Sequence, residues 1–300
     1  GRGVLVHSEG SCRRVLASRP RAAVRAVPHP WFPHAEAGDG GAARRRRGLP
    51  ADALLIAAVG YMTRAKRLDV AFRAFARIAP RHPRAHFAVV GEVSKDYDVP
   101  SLVPEALRPR VHLAGRPEHA EFLDFMAATD LAVNLRYPSA GEASGALMHL
   151  FGLGKPVIVT DTGSFAELPA GTCAKVPPDQ TEEDLLAAYL DALAGDPALR
   201  RAMGAAAARH AAEHHRVDRA AALHAAAIEA VLAEGIRPVP AVPPLAPYPP
   251  EDVLSDLIAE ATADAVDLGA SEDDDELLRE LAGDLLGLGL GAGMGAAVKG

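Results

Sequence analysis

Little in this chain marks a secreted, membrane-spanning or disulfide-bonded protein. Its 300 residues include two cysteines, Cys12 and Cys173, which lie far apart and in no metal-like spacing. So few cysteines favour a reducing cytoplasm over a disulfide framework. No apolar run approaches the roughly 20 residues that span a bilayer, and the first ten residues lack the layout of a signal peptide. We therefore expect a globular protein of the cytoplasm.

Several catalytic motifs are also missing. The sequence has no HxxEH zinc pattern, no GxxxxGK[ST] phosphate loop and no GxSxG nucleophile elbow. Histidines at positions 7, 29, 34, 149, 210, 214 and 215 do not show the spacing of metal ligands. We expect most of these histidines to be surface or core residues, and we expect the protein to use neither a metal nor another cofactor.

Charge is unevenly distributed along the chain, whose net charge is −7. Residues 1–50 contain ten arginines against three acids, and residues 235–300 contain three basic residues against thirteen acids. The run Arg44–Arg47 lies in a Gly/Ala-rich stretch that predicts a loop, where it could touch nucleic acid or lipid headgroups. No aromatic residue is interleaved, which favours a solvated loop instead. We expect no nucleic-acid partner, and the run remains a hint of peripheral membrane contact.

Strands and helices alternate through the middle of the chain. Apolar patterns predict strands at residues 53–60, 86–91, 111–115, 131–135, 156–160 and 173–177 and helices at residues 68–78, 118–128, 145–153, 181–193, 196–215 and 217–233. In the first of these helices Leu68, Phe72, Phe75 and Ile78 recur at steps of three and four residues, which makes one apolar stripe. Such alternation predicts an α/β fold, a parallel sheet with helices on both faces.

Both ends of the chain differ from this middle. The first residue is not Met, and residues 4–8 already indicate a strand, so we expect the chain to begin inside a fold with sequence missing upstream. Residues 235–250 are rich in proline and predict a semi-rigid linker. Residues 251–300 form an acidic tail, for which two predictions stay open: an amphipathic helical hairpin or a poorly ordered, solvating extension.

The stretch at residues 136–169 is the most informative, because a polar loop there leads into a short apolar helix and then a buried strand. The helix is predicted to begin at Gly145. The amides after Ser144 and Gly145 have no partner within the helix, and the helix dipole favours an anion at this point. Gly145 has no side chain to exclude a diphosphate, and Glu142 could reach hydroxyl groups of whatever the phosphate carries. Alternatively, Glu142 and Ser144 only cap the helix.

The loop after the strand at residues 53–60 adds positive charge. In an open parallel sheet ligands bind beyond the carboxyl ends of the strands, so the loops that follow the strands are expected to meet. This loop carries Arg64, Lys66 and Arg67. The three cations would neutralise a diphosphate at the helix start. A solvated surface position is the alternative for Lys66 taken alone.

These motifs occur in a characteristic order. They are Gly60 with Lys66, the run VHLAGRPEHAEFLDFMAATDLAVNL, the loop PSAGEASGALM, the turn GLGKPVIVTDTG and the closing Glu167. In this order, residues 53–233 resemble the donor-sugar half of the family 4 (group 1) glycosyltransferases, whose GT-B fold pairs two Rossmann-like domains. The starting segments VLVHSEGSCRRVL and VRAVPHP resemble the last strands and crossover of the acceptor half. The resemblance implies that residues 1–50 end an acceptor domain and residues 51–234 form a Rossmann-like donor domain.

The resemblance also implies a reaction, the transfer of a sugar from a UDP or GDP sugar with retention of anomeric configuration. Glu142 matches the first carboxylate of the family's pair, which contacts the sugar, and is the expected catalytic residue. Lys66 matches the diphosphate-binding lysine, and Gly145 matches the diphosphate-binding helix start. The expected donor-binding residues are Gly60, Arg64, Lys66, Ser144, Gly145 and His149. A lysine and a helix start can stabilise the leaving diphosphate without a metal.

Two positions depart from the family's pattern. Tyr61 stands where an arginine usually follows the first glycine, which leaves Arg64 as a stand-in. The second carboxylate normally lies eight residues after the first and is absent here. Counting forward from Glu142 gives Leu150, whereas counting back from the Lys-Pro pair gives His149. Ribose binding is therefore expected to differ or to rely on His149.

Functions of different classes remain open. The first is a retaining glycosyltransferase fragment with little or no activity alone, whose acceptor is a glycan, a lipid-linked molecule or a small molecule, in the cytoplasm and peripheral to the membrane. The second is a noncatalytic binding or scaffold protein built on a degenerate donor domain, which the missing arginine and carboxylate favour. An epimerase or phosphorylase of the same architecture fits less well, because no pyridoxal lysine motif occurs.

Overall fold

The structure is a computed structural model and describes residues 3–33, 39–46 and 48–233. These residues belong to the first of two compact units, Gly1–Ile236. The second unit, Arg237–Gly300, lies outside the described residues. The predicted linker and acidic tail fall in that part of the chain, so both stay predictions.

Two parallel sheets form the fold. The small one pairs β1 (Val4–Val6) with β2 (Val24–Ala26). The large one contains β3 (Leu54–Val59), β4 (Ala85–Val90), β5 (Val111–Gly115), β6 (Leu131–Asn134), β7 (Val157–Thr160) and β8 (Ala174–Val176). Its strand order is β5-β4-β3-β6-β7-β8. The predicted α/β fold with a parallel sheet is confirmed. The order reverses between β3 and β6, where open sheets of this kind form a ligand crevice.

Helices connect the strands. They are α1 (Glu9–Ser18), α2 (Gly40–Arg46), α3 (Leu68–Ile78), α4 (Val99–Leu102), α5 (His119–Ala128), α6 (Gly145–Gly152), α7 (Gly163–Ala166), α8 (Glu182–Gly195), α9 (Pro197–His210) and α10 (Val217–Ala233). Short 3-10 turns cover Arg64–Lys66 and Glu105–Arg110, and a π-helical turn, Ala211–His215, links α9 to α10.

The central sheet has a hydrophobic core on each face because strand residues alternate in direction. On one face Ile56 of β3 packs with Phe72 of α3. On the other face the next residue, Ala57, packs with Phe125 of α5 and Phe151 of α6. Each such phenylalanine stabilises the fold by about 1.5–3 kcal/mol through burial. These two cores hold the loops at the carboxyl ends of the strands in fixed positions.

Three arginines of the run, Arg44–Arg46, lie in a helix rather than in the predicted loop. Residues Gly40–Arg46 form α2 because alanine and arginine favour helices, and the helix packs on α5. A Cβ on Gly40 would lie 2.9 Å from the Ala128 Cα, so glycine alone fits there. Arg44 donates a hydrogen bond to Asp130 Oδ2 at 2.7 Å. All three described arginines of the run pair with acidic residues of the same unit.

Residues 27–31, the crossover segment, lie against the turn between α9 and α10. The Trp31 amide donates to the His215 carbonyl at 2.5 Å, and the Val217 amide donates to the Trp31 carbonyl at 3.0 Å. The Trp31 ring packs so closely on α6 that a Cβ on Gly152 would lie 2.1 Å from it. These contacts hold the crossover segment beside α6.

Candidate functional site

The start of α6 lies at the carboxyl end of the sheet. Ser144 caps this helix, since its Oγ accepts a hydrogen bond from the Leu147 amide at 3.2 Å. The capping role that the sequence left open thus applies to Ser144. The strand-end residue Gly60 lies beside the first turn of the helix, because a Cβ on Gly60 would lie 3.8 Å from the Ala146 Cβ. The loop after β3 and the start of α6 therefore face the same crevice.

Lys66 is buried in this crevice and is not a surface lysine. Its side chain leaves the 3-10 turn Arg64–Lys66 and is 4% exposed. Its Nζ donates a hydrogen bond to Asn134 Oδ1 at 2.8 Å. The Ser144 hydroxyl lies 3.5 Å from the same Asn134 oxygen. Through Asn134, the end of β6 thus links the lysine to the residue that caps α6.

Burial changes the protonation of Lys66. The pKa of Lys66 is lowered to about 7, chiefly by loss of solvation and then by the nearby Arg136, whereas Glu142 raises it. An ammonium group in a site of low dielectric is unfavourable unless an anion compensates it. The lysine is consequently poised between its two protonation states near neutral pH.

Glu142 faces Arg136 rather than the helix start. Its Oε1 lies 3.2 Å from Arg136 Nε, and its Oε2 accepts a hydrogen bond from the Ser139 hydroxyl at 3.2 Å. The Ser164 hydroxyl donates to the Glu142 carbonyl at 2.7 Å. The loop that carries the carboxylate is also tied to α1, because Ser11 Oγ donates to the next carbonyl upstream, that of residue 141, at 3.0 Å. Glu142 is therefore held by its backbone as well as by its side chain.

One of the predicted donor-binding residues, Arg64, stands apart from this cluster. Arg64 is exposed, and its Nη2 donates to the Asp96 carbonyl at 3.3 Å, toward the loop after β4. The structure does not bring Arg64 together with Lys66. His149 lies half-buried on α6, one turn after Gly145 and on the same side of the helix. Gly60, Lys66, Glu142, Ser144 and Gly145 surround the crevice.

Sequence patterns did not single out Asn134 and Arg136 as site residues. Among the described residues, Asn134 Nδ2 and Arg136 Nε are buried nitrogens that make no hydrogen bond. Asn134 ends β6 and Arg136 follows two residues later. The signal that points to them is their place at the carboxyl end of a strand beside the reversal point of the sheet.

His29 of the crossover segment was expected to be a surface or core residue, and it covers the start of α6. A Cβ on Gly145 would lie 3.3 Å from His29 Cε1 and 3.6 Å from its Nε2. Burial lowers the pKa of His29, and its Nδ1 lies 3.0 Å from the Pro30 carbonyl. No local pattern predicts this contact, since the two residues are more than 100 positions apart.

A cavity of about 620 Å³ opens beside Gly60, between the loops that follow β3, β4 and β5. It is lined by Gly60, Tyr61, Gly91, Glu92, Arg116, Pro117, Glu118, His119 and Phe122. Gly91 lies so close to the neighbouring loop that a Cβ would stand 1.8 Å from the Gly60 carbonyl oxygen. The exposed Tyr61 ring forms part of the cavity wall. Gly60 thus lines the cavity and also lies beside the first turn of α6.

Metal-binding and membrane-spanning features were searched over residues 3–33, 39–46 and 48–233. Within these ranges no group of three or more His, Cys, Asp or Glu residues could hold a metal ion. None of the helices in the same ranges is long and apolar enough to cross a membrane.

Comparison with known sequences identifies a family similar to this chain. Residues 53–195 match the family model for glycosyl transferases group 1. The D-inositol 3-phosphate glycosyltransferase of Corynebacterium jeikeium is 32% identical over 191 residues, which is 60% of this chain and 45% of that protein. The chain thus spans less than half the length of this curated relative.

Comparison with solved structures agrees with the fold. Sucrose-phosphate synthase from Thermosynechococcus elongatus has a TM-score of 0.63 at 21% identity, covering 77% of this chain and 58% of that one. Anabaena HepE, solved in complex with UDP-glucose, has a TM-score of 0.63 at 17% identity, covering 77% of this chain and 64% of that one. The fold is that of GT-B glycosyltransferases. Residues 53–195 are thus similar to the group 1 glycosyltransferases in sequence.

Proposed function

We propose that this protein binds a nucleotide diphosphate sugar at the start of α6 and serves its transfer to an acceptor with retention of anomeric configuration. The observation that carries the proposal is the buried Lys66 beside the Ser144–Gly145 helix start. A buried ammonium group without a carboxylate in direct contact, next to unpaired helix amides, suits a ligand with concentrated negative charge.

The surroundings suggest how the donor lies. The diphosphate would accept hydrogen bonds from the α6 amides and from Lys66. The cavity of about 620 Å³ that Gly60 lines has room for the nucleoside. The sugar would then extend toward Glu142, whose loop is fixed by Ser11 and Ser164. Anabaena HepE was solved with UDP-glucose, which makes UDP sugars the first donors to test, with GDP sugars second.

In the proposed reaction, the bond between the anomeric carbon and the β-phosphate oxygen breaks. The acceptor hydroxyl oxygen forms a new bond to the same face of that carbon, and its proton passes to the departing phosphate oxygen. The products are a glycoside and the nucleotide diphosphate. Negative charge grows on the leaving oxygen, and Lys66 with the helix start stabilises it without a metal. We place this chemistry in the cytoplasm, with an acceptor that is a glycan, a lipid-linked molecule or a small molecule.

Calorimetric titration of the chain with UDP, UDP-glucose, GDP and GDP-mannose tests the donor site. We expect one nucleotide diphosphate to bind, and we expect Lys66→Met to weaken that binding by about 100-fold. The matched control is Lys95→Met, since Lys95 is an exposed lysine. A folded sample that binds none of these nucleotides would contradict the proposal.

A binding-only role is the second candidate, and two sequence observations favour it. Tyr61 replaces the family's arginine, and His149 or Leu150 stands at the position of its second carboxylate. Donor turnover separates the two roles, measured as the release of nucleotide diphosphate, with and without added acceptors, by the chain together with any upstream sequence of its reading frame, since the chain alone is expected to have little or no activity. A catalytic role predicts turnover that Glu142→Gln removes while donor binding persists. A binding role predicts donor binding with no turnover in either protein.

A further inference from the structure

Two cations and one carboxylate meet at the carboxyl end of the sheet. Lys66 is buried, and the Arg136 side chain is 18% exposed. The carboxylate is Glu142, whose Oε1 lies 3.2 Å from Arg136 Nε. One carboxylate cannot satisfy the five N–H donors of a guanidinium and the three of an ammonium group. The crevice therefore has more positive charge and more donors than its own residues match.

The backbone fixes Arg136 in this place. Its amide donates to Thr160 Oγ1 at 2.8 Å, across the ends of β6 and β7. The next amide, that of Tyr137, donates to the Ala65 carbonyl at 2.9 Å. Ala65 precedes Lys66 in the same 3-10 turn. The two cations are thus attached to one hydrogen-bonded frame, and neither depends on a mobile loop tip.

Two buried nitrogens, one of them on Arg136 itself, lack hydrogen-bond acceptors. Asn134 Nδ2 is buried without a hydrogen bond in a residue that is 3% exposed, and Arg136 Nε is likewise buried without one. Arg136 Nε lies 3.2 Å from Glu142 Oε1, but the orientation of its N–H bond does not allow a hydrogen bond to that oxygen. A buried polar group that lacks a partner is unfavourable. An oxygen-rich anion would provide an acceptor for Asn134 Nδ2 and for the guanidinium edge that does not face Glu142.

Neither Tyr61, which stands at the position of the family's arginine, nor its stand-in Arg64 supplies a second cation beside Lys66. Tyr61 carries no charge, and Arg64 is exposed with its Nη2 on the Asp96 carbonyl. Arg136 is the arginine that acts electrostatically on Lys66, since it contributes to the lowered pKa of that lysine. An anion between the two like charges would relieve their repulsion.

We infer that Arg136 is the second cation of the donor site, and that its guanidinium binds the sugar-bearing β-phosphate beside Lys66 while one edge keeps Glu142 in position. The inference rests on the proposed function. A guanidinium is planar and can bind two oxygens with parallel hydrogen bonds, so it can hold a phosphate and a carboxylate at once. Arg136 thereby connects the leaving group to the carboxylate that faces the sugar.

The test compares a nucleotide diphosphate with its monophosphate. The probes are UDP and UMP, or GDP and GMP if GDP is the nucleotide that binds the unmodified chain, titrated by calorimetry. We expect Arg136→Met to weaken the diphosphate by about tenfold or more and the monophosphate by less than about threefold. Arg64→Met is the matched control and should change either affinity by less than about twofold.

The outcomes separate this inference from the proposed function. If the unmodified chain binds no nucleotide, the proposed function fails and the inference fails with it. If the chain binds the diphosphate but Arg136→Met weakens both probes equally, Arg136 only supports the loop. A tenfold loss in Arg64→Met instead would assign the second cation to Arg64. If Arg136→Met does not fold, Arg136→Lys decides: it keeps the charge beside Glu142 but loses the planar fork, so the diphosphate alone should weaken.

Discussion

Basic side chains cluster at each end of the parallel sheet, but the two groups are matched differently. At the amino end, a cavity of about 500 Å³ is lined by Arg44, Arg81, Arg84 and Arg200. Three of these arginines pair with aspartates, and Arg200 donates to two carbonyls at the end of α8. At the carboxyl end, Lys66 and Arg136 share Glu142, and buried nitrogens remain without acceptors.

The comparison shows that the number of arginines does not identify an anion site. Four arginines whose donors already meet acids or carbonyls serve the stability of the fold. Two cations with too few hydrogen-bond acceptors favour the binding of an anion. The anion supplies the missing acceptors and compensates the unfavourable burial of the charges. Substitutions at the amino end should therefore change stability, and substitutions at the carboxyl end should change binding.

The largest effect is expected at Lys66. Lys66→Met should weaken the nucleotide diphosphate by about 100-fold, because it removes a charge-assisted hydrogen bond inside a buried site. Its stability should not fall, since the substitution also removes the desolvation penalty of the ammonium group. Calorimetry measures the affinity, and urea unfolding measures the free energy of unfolding. Arg84→Met, at the amino end, is the control and should bind as the unmodified chain does.

Arg44→Met should show the opposite pattern. Arg44 donates to the Ala53 and Ala128 carbonyls and to Asp130. Its loss should destabilise the fold by about 2 kcal/mol, because these acceptors are left without their donor. Nucleotide affinity should stay within about twofold. A tenfold loss of affinity with unchanged stability would remove the distinction between the two ends of the sheet.

The pH dependence should also distinguish the carboxyl end. Because the pKa of Lys66 is lowered to about 7, the lysine loses its charge as the pH rises above that value. Diphosphate affinity should therefore fall between pH 7 and 9, by at most about tenfold per pH unit. Lys66→Met should flatten this dependence. An affinity that stays constant over this range in the unmodified chain would show that Lys66 is not the titrating contact.

The same lysine should make the free energy of unfolding rise with pH, whereas it makes the diphosphate affinity fall. An unfolded lysine has a pKa of about 10.4, so between pH 7 and that value the unfolded chain binds the additional proton. The contribution of Lys66 to the free energy of unfolding should accordingly rise with pH across this window. Urea unfolding at several pH values measures it as the difference between the unmodified chain and Lys66→Met. A difference that falls with rising pH would mean that the folded lysine keeps its charge.

The smallest effect is expected at the helix caps. Ser144→Ala and Asp196→Ala each remove a side chain that caps a helix, α6 and α9 respectively. Each should cost about 1 kcal/mol of stability in urea unfolding. Ser144→Ala alone should also weaken nucleotide binding, because it loosens the amides at the ligand. Equal affinities in the two variants would place the ligand away from the start of α6.

Periodic patterns were enough to predict the elements that carry the site. The helix at residues 68–78 has the predicted bounds because its stripe of Leu and Phe residues repeats with the helical period. The start of α6 was predicted at Gly145, where the structure has it, since a serine followed by an apolar run is typical of a helix start.

What the sequence could not predict depends on contacts between distant residues. The α2 helix depends on packing against α5, which overrides the Gly/Ala-rich loop pattern. The sequence offers Arg64 as the stand-in for the family's arginine because Tyr61 occupies that position, and it does not point to Arg136, whose proximity to Lys66 in space follows from the pairing of β3 with β6. The contact of His29 with Gly145 likewise depends on where the crossover segment packs. The periodicity of apolar residues does not predict where the side chains at the ends of loops point.

A crystal structure of the chain with bound UDP, or with GDP if only GDP binds, tests the donor site most directly. We predict that the diphosphate oxygens lie about 3 Å from Lys66 Nζ and from the Gly145 amide, with the Arg136 guanidinium on the β-phosphate. A diphosphate seated among Arg44, Arg81 and Arg200 at the amino end of the sheet, with the start of α6 empty, would contradict the proposed donor site.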